Sequence, residues 1–154
     1  STKNLKKYGV DLSLLADKPG NLAQLIDELQ QLPAQTVTPD DAEGADINLI
    51  EATSRSVEVG ANVNDVNDFI VLPSLASVAV GFTITVVSNA AGHEVRTPAS
   101  SNEKINNQDC DGTKEYAIAS GSQVHRFTKI SNSVGWMGQG STALGAAVTA
   151  VVPD

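Results

Sequence analysis

A run of acidic and amide side chains in the second half of the chain has the spacing of calcium ligands. Asn107, Asp109 and Asp111 lie two residues apart and are followed by Gly112. They match the first ligand positions and the sharp-turn glycine of an EF-hand loop. The position that holds a bidentate glutamate in that loop is Ile118 here, and the segment around it alternates like a strand. We therefore predict a β-turn between two strands and no metal site.

The two histidines and the single cysteine are the other candidates for chemistry. A hydrolytic triad needs a nucleophile, a histidine and a carboxylate, and the sequence has no Gly-x-Ser-x-Gly elbow. His93 follows a glycine at a predicted turn and His125 lies in a predicted strand, so we interpret both as packed or exposed side chains. Cys110 stands between Asp109 and Asp111, whose charges raise a thiol pKa and weaken it as a nucleophile.

Three glutamates leave one enzymatic alternative open. Glu51, Glu58 and Glu94 fall on different predicted strands, so the pattern alone does not exclude a glycosidase carboxylate pair. Such sites use aromatic platforms for sugars, and aromatic residues make up only 4% of the chain. Nothing in the sequence argues positively for an enzyme. We predict a protein without catalytic residues or cofactor.

Composition narrows the choice of partners. The formal net charge is -8, and lysines cluster only at Lys3, Lys6 and Lys7. Binding to nucleic acid needs clustered cations that release counterions, so we expect no nucleic-acid partner. No apolar run reaches the ~20 residues of a membrane span, and no basic-then-apolar leader is present. One cysteine cannot form an internal disulfide, so we expect synthesis in a reducing cytosol.

The first part of the chain contains one amphipathic helix. Asn21 is a predicted N-cap, and Pro33 ends the pattern. The predicted helix, residues 21–32, carries one apolar stripe. The members of this stripe, which we predict to bind a partner, are Leu22, Leu25, Ile26, Leu29 and Leu32. A proline- and acid-containing linker follows up to Asp46, so residues 1–46 form a predicted N-terminal arm.

From Ile47 onward the hydrophobic period changes to two. The predicted strands are Thr53–Val59, Phe69–Leu72, Phe82–Val87, His93–Thr97, Glu115–Ala119, Gln123–Ile130 and Gly135–Gly138. Short strands at this spacing indicate a mainly β domain over residues 47–154. We predict an antiparallel β-sandwich or jelly-roll-like barrel. Its predicted aromatic core is Phe82, Phe127 and Trp136. The apolar tail Thr142–Val152 is either an edge strand or an arm that completes a neighbour's sheet.

Residues 52–138 also show an arrangement that is similar to a known group of proteins. The features are a strand ending in Leu-Pro, a Val-Gly before a strand that ends in Asn, an Ile-Asn turn, a glycine turn, and a final Phe and Trp. In this sequence they are Leu72-Pro73, Val80-Gly81, Asn89, Ile105-Asn106, Gly121, Phe127 and Trp136. The arrangement resembles the small β-domains of tailed-bacteriophage virion proteins, in particular capsid decoration (cement) proteins and head-fibre domains.

The resemblance implies a structural role. In those folds the matched residues shape turns and core. A decoration protein would bind the major capsid protein on the capsid exterior, stabilise the shell, and self-associate, with trimers at threefold positions. It would be made in the host cytoplasm and end in the virion. The alternative is a head-fibre or tail-fibre module that binds the host surface through loops such as Asn89–Gly92 or Asn102–Gly112. A virion-borne hydrolase ranks last.

Overall fold

The chain divides between Pro33 and Ala34 into two compact units. The computed structural model describes residues 21–30, 34–44, 47–60, 63, 65–112 and 114–140. In the first unit, α1 spans Asn21–Gln30, and its side chains are described for residues 22–26. The predicted tail Thr142–Val152 lies outside the described residues.

The second unit is built from short strands. They are β1 (Gln35–Val37), β2 (Ser56–Val59), β3 (Phe69–Val71), β4 (Thr83–Ser88), β5 (His93–Arg96), β6 (Lys104–Ile105), β7 (Gln108–Asp109), β8 (Tyr116–Ile118), β9 (Gln123–Ser131) and β10 (Gly135–Gly140). A single 3-10 turn, η1 (Leu75–Ser77), follows β3 among the described residues. The prediction of a mainly β protein is confirmed, and each predicted strand segment overlaps an observed strand.

The strands form two mixed sheets. The larger has the order β1-β2-β4-β9-β10-β6-β7, and the smaller has the order β3-β5-β8. The pairs β1–β2, β2–β4, β10–β6 and β3–β5 are parallel, and the others are antiparallel. The expectation of purely antiparallel pairing is therefore wrong. The reason lies in the connections, because the chain between β2 and β4 passes through β3 in the other sheet, and such crossovers return a strand in parallel.

Residues 34–44, predicted as linker, belong to the β unit. Val37 is buried, and β1 pairs in parallel with β2. Asp40 exchanges both main-chain hydrogen bonds with Phe69, at 2.8 and 3.2 Å. The Gln35 side chain accepts from the Glu51 N–H and donates to the Leu49 carbonyl. A three-residue edge strand with one inward valine leaves too short a pattern to detect beside Pro39 and Gly44.

Both sheets contribute to one hydrophobic core. Phe127 and Trp136 are fully buried within it, together with the inward residues of β2, β4, β5 and β8. Phe82, the third predicted core aromatic, is only partly buried and packs at the margin of the cluster. It precedes β4, and the Arg55 guanidinium lies over its ring, 6.0 Å from the centroid. Phe82 shares the phase of the inward Ile84 and Val86, but it precedes the first residue of β4, and this position beyond the end of the strand explains the difference.

Glycines in β10 let the smaller sheet approach closely. A Cβ atom at Gly138 would lie 2.8 Å from the Phe127 ring and 2.9 Å from the Tyr116 ring. These rings meet edge to face, with centroids 4.8 Å apart. At Gly140 a Cβ atom would overlap the imidazole of His125. The absence of side chains at both positions therefore lets β8 bring Tyr116 onto β9 and β10.

Candidate functional site

Three residues of the predicted partner-binding stripe are described, and all three are exposed, as are the other described side chains of α1. The exposed fractions of Leu22, Leu25 and Ile26 are 57, 40 and 46%. Their spacing of three and four residues puts them on one side of the helix. Leu29 lies within α1, but its side chain is outside the described residues, as is the whole of Leu32. A lone helix of this length is marginal in water, so an exposed apolar stripe is a surface suited to burial against a partner.

The calcium-like run forms a β-hairpin. Strands β6 and β7 pair antiparallel on either side of Asn106 and Asn107, whose φ angles are +51° and +68°. Positive φ at both central residues is the signature of the two-residue hairpin turn that matches strand twist, and asparagine tolerates it. The predicted turn between two strands is thus present. The strands that flank it are the two-residue β6 and β7, not the predicted strands His93–Thr97 and Glu115–Ala119.

The carboxylates of this run bind neighbouring main chain. Asp111 Oδ2 accepts the Asn102 N–H at 3.1 Å, and Asp109 Oδ1 accepts the Asp111 N–H at 3.4 Å. Across the part of the chain that the structure describes, no group of three or more histidine, cysteine and acidic residues has the arrangement of a metal site. The geometry therefore assigns these oxygens to loop structure.

His93 forms a buried hydrogen-bond chain. Its Nδ1 lies 3.2 Å from the Glu94 carbonyl, which can only accept, so Nδ1 carries the proton. Nε2 is then free to accept the Ser88 hydroxyl at 2.9 Å. This is the contact a catalytic base makes with a nucleophile. However, Ser88 and His93 are 0 and 2% exposed, so substrate cannot reach the hydroxyl in this fold.

His125 makes a second chain of the same kind. The Gln123 side chain donates to Ser120, which leaves its Oε1 to accept the His125 Nε2–H at 2.7 Å. The His125 Nδ1 therefore accepts the Tyr116 hydroxyl, also at 2.7 Å. Burial lowers the pKa of both histidines, and the nearby His93 lowers that of His125 further. Burial also raises the pKa of Tyr116. All of these groups are consequently neutral near pH 7.

The remaining candidates for chemistry are the cysteine and the three glutamates. Cys110 is buried, which raises the pKa of its thiol, and the neighbouring carboxylates raise it further. Glu58 is exposed beside the inward Val57 and Val59, so it faces outward from the larger sheet. Glu94, on the smaller sheet, binds the Arg96 guanidinium at 2.6 Å. Glu51 is exposed in a loop. The three glutamates therefore lie on three separate segments.

Sequence reasoning missed a buried cation. Lys129 is 5% exposed, and its Nζ donates to the carbonyls of Leu75 and Val78 at 2.6 and 2.8 Å. Glu103 accepts the Leu75 N–H at 3.0 Å, and burial raises the pKa of this glutamate. The two side chains hold η1 at both ends. The alternation of His125, Phe127 and Lys129 toward the core was the available signal.

Comparison with known proteins adds no family. No protein-family model matches the chain, and no curated protein matches its sequence. Among the described helical residues, no segment has the length and apolar character needed to cross a membrane.

Proposed function

We propose that the chain is a structural virion protein that binds the outside of a phage capsid and stabilises it. The observation that carries this proposal is the exposed stripe of Leu22, Leu25 and Ile26 on a helix that belongs to a unit separate from the β unit. Burial of three such side chains against a partner contributes about 1.5–3 kcal/mol each when it is complete. The major capsid protein is the proposed partner, with self-association as a trimer.

The β unit supports a structural role through its buried polar groups. Those best suited to chemistry, His93, His125, Lys129 and Cys110, all make hydrogen bonds that hold the fold. Within the proposal this unit is a sandwich of the jelly-roll-like kind, because its two mixed sheets share one core. The residues of the phage-protein resemblance fit such a scaffold: Leu72, Phe127 and Trp136 are core, and Gly81 has a φ of +86°.

The net charge fits a place on the capsid exterior. At -8, the chain is repelled by packaged DNA, and free copies are kept apart before they bind the shell. Specific attachment then depends on apolar contact rather than on charge. The proposed route is synthesis in the host cytoplasm followed by assembly into the virion.

Co-sedimentation with undecorated phage capsids tests the proposal. We expect the intact protein to bind at a fixed ratio per capsid subunit, and Leu25→Asp and Ile26→Asp to abolish binding while the β unit stays folded. Ala23→Asp is the matched control, because it adds the same charge to an exposed position of α1 beside the stripe. Unchanged binding by both stripe variants would show that α1 is not the attachment surface, and no binding by the intact protein would reject the capsid role.

A fibre module that binds the host surface is the second candidate. The observation in its favour is a group of exposed asparagines, Asn102, Asn106 and Asn107, on backbone with positive φ that local hydrogen bonds hold in place. Preordered polar groups suit recognition of a polar receptor. Binding to host cells that is lost in Asn107→Arg but kept in Asn132→Arg, an exposed substitution in the β9–β10 turn, would favour this candidate over the capsid role.

A further inference from the structure

Two side-chain hydrogen bonds join strands of the larger sheet to strands of the smaller one, and both use a histidine. Ser88 of β4 donates to His93 of β5, and Tyr116 of β8 donates to His125 of β9. In each case the imidazole is the acceptor, through the nitrogen that carries no proton. Both links therefore require neutral histidines.

The described surroundings of His125 offer little compensation for positive charge. Three strands pack on His125. The residue beside it is Val86 in β4, Gly140 in β10 and the neutral Tyr116 in β8. The neighbouring Arg126 is exposed. Within the part of the chain that the structure describes, a charge on His125 is thus met by the Tyr116 hydroxyl, the Gln123 amide and the charge of His93.

Around His93 one carboxylate is nearby. Asp68 precedes β3, the parallel partner of β5; its main-chain carbonyl accepts the Glu94 N–H, and its buried side chain accepts the Asp65 N–H at 3.4 Å. β4 supplies the Ser88 hydroxyl and β8 supplies Ile118 by register. On its own strand, Glu94 and Arg96 follow the alternation to the opposite face, where they bind each other. His125, from the other sheet, interacts with His93, and two imidazolium ions repel each other.

We propose that His93 and His125 form an acid-sensitive latch between the two sheets, closed when both imidazoles are neutral and released when both are protonated. Protonation puts two like charges into the layer between the sheets and turns each acceptor into a donor. The smaller sheet then separates from β4 and β9 at the β5–β8 side. This inference does not depend on the proposed capsid role.

The direction of the pH dependence follows from linkage. Each imidazole has a folded-state pKa below its unfolded value near 6.5, so the unfolded chain binds more protons as the pH falls through that value. Stability is therefore fully present above about pH 6.5 and declines below it. Each pKa unit of depression lowers the folding equilibrium constant by about tenfold once the pH is below the folded value.

Glu103 acts in the opposite direction over part of this range. Its folded-state pKa lies above the unfolded value, so its contribution grows as the pH falls toward 4.5. The test must separate the two effects. A Glu103→Gln background removes the glutamate while leaving an oxygen to accept the Leu75 N–H.

The experiment compares this background with the variant that also carries His93→Gln and His125→Asn. The glutamine oxygen replaces Nε2 and the asparagine oxygen replaces Nδ1, so both hydroxyls keep an acceptor that cannot titrate. Urea unfolding is followed between pH 7.5 and 5.0. We expect the ratio of the two folding constants to change at least tenfold across this range, with the histidine-containing protein losing stability in acid. A constant ratio overturns the proposal.

Native-state hydrogen exchange is measured on the protein that keeps both histidines, so it does not require the double variant to fold. After correction for the intrinsic rate, amides of β5 and β8 should lose protection on acidification before those of β4 and β9. Imidazole proton resonances should titrate below pH 6.5 in the folded protein. Histidines that titrate near 6.5 without loss of protection in β5 and β8 would show that no latch exists.

Discussion

Helix α1 and the β unit both carry regularly spaced apolar side chains, but they use them differently. In α1 the described residues of the stripe, Leu22, Leu25 and Ile26, are exposed, whereas in β9 and β10 the inward Phe127 and Trp136 are completely buried. Strands of two facing sheets bury one another's apolar faces, while a single helix must find a partner elsewhere. Periodicity therefore specifies which side of an element is apolar, and the neighbours decide whether that side is buried.

The largest expected effect comes from exchanging a residue of each region for alanine. Trp136→Ala should lower the free energy of unfolding of the β unit by about 3–5 kcal/mol, because it empties a filled core. Leu25→Ala should change it by less than about 0.5 kcal/mol. Urea unfolding followed by far-ultraviolet circular dichroism measures both. A loss above about 1 kcal/mol for Leu25→Ala would mean that the stripe stabilises the folded chain itself.

Substitution of two glycines distinguishes the effect of tertiary contact from that of local backbone preference within the β unit. Gly81 and Gly135 have φ angles of +86° and +87°, so alanine at either costs about 1–2 kcal/mol from backbone strain. A Cβ atom at Gly81 meets nothing within 4 Å, but at Gly135 it overlaps the Lys104 carbonyl oxygen. Gly135→Ala should therefore cost at least about 1 kcal/mol more than Gly81→Ala. Equal losses of unfolding free energy would indicate that β6 moves without cost.

The smallest expected effect concerns the part of β10 that extends beyond its pairing with β6. The Asn106 side chain accepts the Gly138 N–H at 2.8 Å and donates to the Gly138 carbonyl at 3.0 Å, as a paired strand would. Asn106→Ala should cost about 1 kcal/mol more than Asn107→Ala, since each net hydrogen bond contributes about 0.5–1.5 kcal/mol and both sites share positive φ. Asn106→Asp, which keeps only the acceptor, should fall between them. If the unfolding free energies do not follow this order, the contact of Asn106 with Gly138 does not contribute to stability.

Strands with a long hydrophobic pattern were predicted more accurately than strands with a short one. The β4 strand, with its run of β-branched residues, was predicted to within one residue at each end. The three-residue β1 and the two-residue β6 and β7 were missed as strands, because so few residues show no periodicity. The turn at Asn106 was predicted from residue types alone, since positive φ is a local property.

The candidate site divides along the same line. The helix α1 could be predicted because helical spacing is local, and the binding role of its stripe stays a prediction. The bonds of His93 to Ser88 and of His125 to Tyr116 could not, because they cross between sheets whose packing no local pattern reports. For Cys110, the acidic neighbours were evident, but the larger influence on its pKa is burial.

The amino-acid sequence by itself determined the class of the protein: a short amphipathic helix, then a series of strands with asparagine and glycine turns. These features depend on side-chain period and backbone preference within a few residues. Only the tertiary structure decided that the sheets are mixed, that Lys129 is buried on two carbonyls, and that both histidines join the sheets. Those outcomes depend on which distant segments meet, and on the free energy of burying polar groups that must find their partners there.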